Sequence, residues 1–173
     1  MNAAAIPTLL LTGTVGTGKT VVAIEIGHIL EQQGKSAAVI DLDWLGWLGS
    51  STVTADQLIA RNLGAIWPNL RKAGMSYAVL ARAMLSRDSL SDLRVAVPEA
   101  EIVVVRLTAS PSTIERRLRQ RDSGRELEEH LRESEHMTHA MDRAGLEDMA
   151  IGTDDRTPEE VAQEVLRRWQ GML

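Results

Sequence analysis

The octapeptide GTVGTGKT at residues 13–20 constrains this chain more than any other feature. It fits G-x-x-x-x-G-K-[ST], running from Gly13, Thr14, Val15 and Gly16 through Thr17 and Gly18 to Lys19 and Thr20. The apolar run TLLLTG precedes it and a helical pattern follows, so the spacing predicts a strand, a tight loop and a helix in succession. Glycines let successive backbone N–H groups turn inward around a phosphate chain. The helix adds the positive end of its dipole. Lys19 can then reach terminal phosphates as a mobile point charge, and the Thr20 hydroxyl can ligate Mg²⁺. The alternative is a glycine-rich strand-to-helix turn with an incidental lysine; it leaves the full match in this context unexplained.

The rest of the chain continues the alternation. Strand patterns recur at SAAVIDL, SYAVLA, EIVVVRL and MAIGT. A helix is expected from Lys19 to about Gln33, where Gly34 stops it. Leu58, Ile59, Leu63, Ile66 and Leu70 give helical spacing over residues 54–73, with Pro68 expected to kink or split the helix. A short helix is expected from Ser89 to Val97, ended by Pro98. Another starts with Ser110 as N-cap and Pro111 at the first helical position. Residues 122–125 break it, and residues 126–144 are again helical. The last helix opens on TPEE, a capping box of Thr157 and Glu160. This order predicts an α/β fold, a doubly wound five-stranded parallel sheet flanked by helices. At 173 residues, without repeat or linker, residues 1–173 are expected to form a single domain.

Bulk properties narrow the function. A net charge of −5 argues against a general nucleic-acid binder. The absence of cysteine excludes disulfides and thiolate zinc sites and suits a cytoplasmic protein. No apolar run reaches the ~20 residues of a membrane span. The apolar patch from Ala3 to Leu11 lacks a basic leader and runs into the glycine loop, so it reads as a strand and not as a signal peptide. His130, His136 and His139 lack the H-E-x-x-H arrangement, which favours a solvated helix over zinc. SYAVLARAM ends without an acid, so the third strand carries no conventional Walker B aspartate.

The second strand delivers DLDW, and ligands of a parallel α/β sheet bind beyond the carboxyl ends of its strands. The glycine loop and DLDW therefore open on one edge. Side chains alternate along an extended chain, so Asp41 and Asp43 are expected to point the same way. Two carboxylates can divide the labour there. One orients the water shell of Mg²⁺ and the other accepts the proton of an attacking hydroxyl. The alternative is that one caps the next segment and the other is merely solvated. Trp44 and Trp47 offer either a wall for a ring or sugar, or packing under a loop. Trp67 and Trp169, in helical patterns, are expected in the core. Arg82, just past the third strand, either grips an anionic acceptor or pairs with a carboxylate.

GTVGTGKT, DLDW, the arginine-rich ERRLRQRDSGRE and GTDDRTPEE follow one another in the order seen in small P-loop kinases. The arrangement resembles the adenylylsulfate kinase, gluconate kinase and shikimate kinase group over most of the chain. Asp41-Leu42-Asp43 resembles the Asp-x-Asp of shikimate kinases. ARNL, with Arg61 and Asn62, resembles residues that open the following helix in adenylylsulfate kinases. The resemblance implies a P-loop nucleoside triphosphate hydrolase fold of kinase type with ATP and Mg²⁺ as cofactors. It makes residues 115–126 a short lid whose arginines meet the transferring phosphoryl group. Arg117, Arg121 and Arg125 recur every four residues and share a helix face if the helix runs that far. The resemblance also makes Gly152, Thr153 and Asp154 the loop that holds the adenine ring.

These readings combine into one expectation: ATP-dependent transfer of a phosphoryl group to a hydroxyl of a small-molecule acceptor, adenylylsulfate-kinase-like. Lys19, Asp43, Arg117 and Arg121 are the expected catalytic residues, and Thr20 and Asp41 the metal residues. Asp43, Trp44, Trp47, Arg61 and Arg82 form the expected acceptor side. No nucleic-acid or membrane partner is expected; a homodimer is one assembly the reading allows. One rival is a nucleoside monophosphate kinase, with Arg61 and Arg82 around the acceptor. The other is a nucleotide-binding regulatory protein without acceptor-dependent turnover.

Overall fold

A computed structural model of the chain describes residues 5–49 and 52–172. Ala3 and Ala4, at the start of the apolar N-terminal patch, lie outside the described residues. Strands and helices alternate as β1 (Ile6–Thr12), α1 (Lys19–Gln32), β2 (Ala37–Asp41), a 3-10 turn (Leu42–Leu45), α2 (Ala55–Lys72), β3 (Tyr77–Ala81), α3 (Arg87–Ala96), β4 (Ala100–Thr108), α4 (Pro111–Arg121), α5 (Gly124–Ala144), β5 (Met149–Gly152) and α6 (Pro158–Gln170). The five strands pair in parallel in the order β2-β3-β1-β4-β5.

The central strand shows why both faces must be covered. Leu9, Leu10 and Leu11 are all fully buried. Alternation sends Leu9 and Leu11 to one face and Leu10 to the other. Leu9 and Leu11 join Val22, Ile26, Val165 and Trp169 under α1 and α6. Leu10 joins Ile59, Leu63, Trp67 and Leu93 under α2 and α3. Burying each leucine contributes about 1.5–3 kcal/mol. Trp67 and Trp169 are core residues, as expected.

The helix ends follow local chemistry. Thr54 and Gln57 form a capping box at α2, Thr157 and Glu160 another at α6, and the Ser110 side chain caps α4. Pro68 does not split α2, which runs on to Lys72. It stands near the helix end, on a helix whose opposite face is anchored by Ile59, Leu63 and Trp67. Helix α3 starts before Ser89, because Ser86 is its N-cap and accepts from the Ser89 N–H. Helix α4 ends at Arg121 and α5 begins at Gly124, so Arg125 does not continue the face of Arg117 and Arg121. No helix among the described residues is long and apolar enough to cross a membrane.

Candidate active site

β1, β3 and β4 end side by side, and the glycine loop rises from the middle of them. A Cβ at Gly13 would stand 2.5 Å from the Leu107 carbonyl oxygen, so only glycine lets the loop leave β1 against β4. Gly18, with φ of 90°, turns the chain into α1 and supplies no side-chain cap. The first amides of α1 therefore lack a side-chain partner and suit an anion. The Lys19 ammonium donates to the Thr14 carbonyl at 3.0 Å, and the Thr17 hydroxyl donates to the same oxygen at 2.9 Å. Burial pushes the Lys19 amine below its usual range, while Asp43 and Asp41 pull it back up. A bound phosphate chain would act in the same direction as those carboxylates.

Asp41 ends β2 and caps the 3-10 turn. One of its oxygens accepts from the Asp43 N–H at 3.1 Å, and the other accepts from the Thr20 hydroxyl at 2.6 Å. A hydroxyl and a carboxylate held together at the loop are hard oxygen donors, the set Mg²⁺ selects. Asp43 lies in the turn and not on the strand. Its orientation thus comes from the turn and from Arg82, and the expectation from strand alternation is corrected. The Arg82 guanidinium donates to Asp43 at 2.9 Å. Burial raises the Asp43 carboxyl above its ordinary value, Arg82 opposes that shift, and Asp41 reinforces it.

Both terminal nitrogens of Arg82 are engaged. The second donates to Asp56, which also accepts from the Ser89 hydroxyl. Of the two readings of Arg82, the structure shows the ion pair. Asp56 and Ser89 were missed in the sequence. Asp56 reads there as an ordinary acid in the first turn of a helix.

A cavity of about 370 Å³ is lined by Gly16, Gly18, Lys19, Thr20, Asp43, Arg117 and Arg121. A neighbouring one of about 250 Å³ is lined by Thr17, Val22, Arg117, Thr153, Arg156, Pro158 and Val161. Arg117 belongs to both. It donates to the carbonyl of Gly16 at 3.2 Å and to the Thr153 hydroxyl and carbonyl at 2.9 and 2.7 Å. Helix α4 is thereby fastened to the glycine loop and to the loop after β5. From α5, the buried Ser134 hydroxyl donates to the Thr14 hydroxyl at 3.2 Å.

Arg121 lines the first cavity but gives two hydrogen bonds to Asp122, at 2.7 and 2.9 Å. Asp122, Glu126 and His130 converge at the α4–α5 junction. Arg121 already occupies both Asp122 oxygens, so the group reads as a latch between the two helices. Arg125 is exposed and pairs with Glu129. Asp154 spends its carboxylate on Ser110, accepting from the amide at 3.0 Å and the hydroxyl at 2.6 Å. Its side chain thus ties the β5 loop to α4. Thr153 does line the second cavity.

Hydrogen bonds from Ser110 hold Asp154 at about 2, and those from Arg121 hold Asp122 at about 2, against the usual 3.8. Folded-state values below the unfolded one contribute stability that is complete above about pH 4 and is lost as pH falls through about 2. Asp154→Asn is accordingly expected to be less stable than the parent near neutrality. The difference should vanish as pH approaches 2, as urea denaturation at a series of pH values can measure. A difference that is constant with pH would contradict the assignment.

Trp44 of DLDW and Trp47 just after it are not core. Trp44 and Trp47 are 71% and 80% exposed, and their rings stack with centroids 5.5 Å apart. They stand beyond Asp43 without lining the 370 Å³ cavity. Arg61 is placed elsewhere. It is exposed, in a separate groove between α2 and α3 with Gln57, Asp92 and Val95, and so does not join the expected acceptor side. A groove of about 450 Å³ along α1 and β2, lined by Ile24, His28, Glu31 and Val39, holds none of the residues just described.

No family model matches the sequence, and no curated protein matches it. Solved structures do resemble the fold. The Mycobacterium tuberculosis APS kinase, determined with AMPPNP and APS, is 21% identical, with a TM-score of 0.63 over 97% of this chain and 99% of that one. A gluconokinase from Sinorhizobium meliloti is 18% identical, with a TM-score of 0.63 over 98% and 95%. The shikimate kinase from Bacteroides thetaiotaomicron is 18% identical, with a TM-score of 0.62 over 97% and 98%. The chain has the parallel α/β architecture of these P-loop small-molecule kinases.

Proposed function

We propose that the protein is an ATP-dependent phosphotransferase acting on a hydroxyl of a small molecule. One observation carries the reading: Lys19, Thr20, Asp43, Arg117 and Arg121 face a single cavity at the end of the sheet, with Asp41 bonded to Thr20. ATP bound with Mg²⁺ supplies the phosphoryl group and the cation that shields its charge. Lys19 leaves the Thr14 carbonyl for the terminal phosphates. Thr20 and Asp41 would hold the metal. Asp43 takes the proton from the acceptor hydroxyl as its oxygen bonds to phosphorus and the bridging oxygen departs with ADP. A raised carboxyl is the stronger base for that step. Arg121, and Arg117 at the junction of the two cavities, meet the charge on the moving group. Thr153 and the cavity beyond Arg117 receive the base. The monophosphate-kinase rival loses its arginine set, since Arg61 lies elsewhere and Arg82 is spent on Asp43 and Asp56.

Steady-state ADP release, measured with and without a panel of alcohols, tests the reading. Stimulation by at least one alcohol is expected. A slow rate indifferent to every alcohol would instead favour a nucleotide-binding regulatory protein.

Arg82 is a positioning residue in this scheme. Arg82→Met is expected to lower kcat by roughly 10–100-fold, the scale on which misplacing a reacting group by about an ångström acts. KM for ATP should hold. Removing the guanidinium also removes the influence that lowers the Asp43 carboxyl, so the acid limb of the kcat–pH profile should move to higher pH. An unmoved limb would separate Arg82 from Asp43.

A further inference from the structure

The turn after β2 is pinned on its inner side. Leu42 is fully buried, Asn62 donates to the Leu45 carbonyl at 2.6 Å, and a Cβ on Gly46 would meet Ile59 at 2.5 Å. From this fixed turn the two indoles face outward. Trp44 and Trp47 stack on each other with an interplanar angle of 23°, and Leu48 beside them is 57% exposed. The chain buries its other two tryptophans in the cores, so these two are not surplus from a full interior. Large exposed apolar groups held on rigid backbone next to a reactive carboxylate form a platform for a ring.

Charge on the same side restricts what can lie there. Asp43 and Asp56 share a single guanidinium, Arg82, whose two terminal nitrogens are thereby engaged, and Asp41 adds a third carboxylate that accepts from the Thr20 hydroxyl and the Asp43 N–H. The cations that line the cavity are occupied or needed by the donor. Lys19 belongs to the phosphates, and Arg117 and Arg121, bonded to Gly16, Thr153 and Asp122, are the arginines the moving phosphoryl group needs. An anionic acceptor would meet carboxylates with no uncommitted cation among these residues to receive it. A neutral one would escape that repulsion, and a cationic one would meet a favourable field and the outer indole face of the stack.

Resting on the phosphotransferase reading above, we infer that the acceptor is a neutral or cationic alcohol carrying a flat ring. The ring lies on the outer face of the Trp44–Trp47 stack and the hydroxyl is presented to Asp43. Alcohols bearing carboxylate, phosphate or sulfate are disfavoured.

Three matched probes test this: 4-(aminomethyl)benzyl alcohol, 1,4-benzenedimethanol and 4-(hydroxymethyl)benzoate. Each is titrated by calorimetry into the protein already saturated with AMPPNP and Mg²⁺, for wild type and for Trp44→Leu and Trp47→Leu. The cationic and neutral probes are expected to bind more tightly than the anion, the cation by roughly severalfold, the effect of a net carboxylate charge acting across the ring in a largely solvated site. Both tryptophan variants should weaken the ring probes while AMPPNP binding persists. Equal or tighter binding of the benzoate, no binding by any probe, or unchanged affinity in both variants would overturn the inference alone. Failure of AMPPNP itself to bind would overturn the kinase reading and the inference with it.

Discussion

Asp43→Asn is expected to lower turnover by roughly 10²–10⁴, the usual contribution of a general base. The amide keeps the shape and can still accept from Arg82, which donates at 2.9 Å. It cannot take a proton. ATP binding should persist, because in the proposed site the glycine loop, Lys19 and Thr20 would make the donor contacts. In the parent, burial raises the Asp43 carboxyl. Turnover should therefore fall as pH drops through a value above the ordinary aspartate range, since the base must be ionised to act. Rate–pH profiles check both points. A variant that turns over normally would remove Asp43 from the chemistry.

Lys19→Ala should be nearly as damaging, by about 10²–10³ in kcat, the scale of losing one preorganised charge that stabilises the transition state. The fold should survive, because the ammonium makes one bond, to the Thr14 carbonyl, and Thr17 makes another to the same oxygen. Circular dichroism and single-turnover kinetics separate the two effects. An unfolded variant, or full residual activity, would contradict this role.

The parts of the fold that depend on neighbours in sequence were legible from sequence. Ser110 and Thr157 cap their helices through bonds three residues away, and the strand runs are continuously apolar because both sheet faces are covered. The glycine loop was legible for the same reason: its requirements are local. The site beyond it was not. β2 pairs with β3 only as far as Asp41 and Ala81, and the turn that follows rotates Asp43 away from strand alternation. Arg82 meets carboxylates 39 and 26 residues away, a pairing no local pattern reveals. Asp122 is the C-cap of α4 and bonds to Arg121 and to His130 eight residues on, and α5 restarts at Gly124, so Arg125 leaves the α4 face. Helical patterns placed Trp67 and Trp169 in the core, whereas Trp44 and Trp47 stayed open between a ring wall and packing under a loop, because the turn that carries them has no period to read.

The central claim is that the γ-phosphoryl group moves to a hydroxyl and not to water. ATP labelled in that group, incubated with the protein, Mg²⁺ and a pool of small neutral and cationic alcohols, locates it directly. Label is expected in an acid-stable phosphomonoester of an alcohol, formed by wild type and lost in Asp43→Asn while labelled ATP still binds. Label appearing only as inorganic phosphate, at the same rate in both proteins, would contradict it.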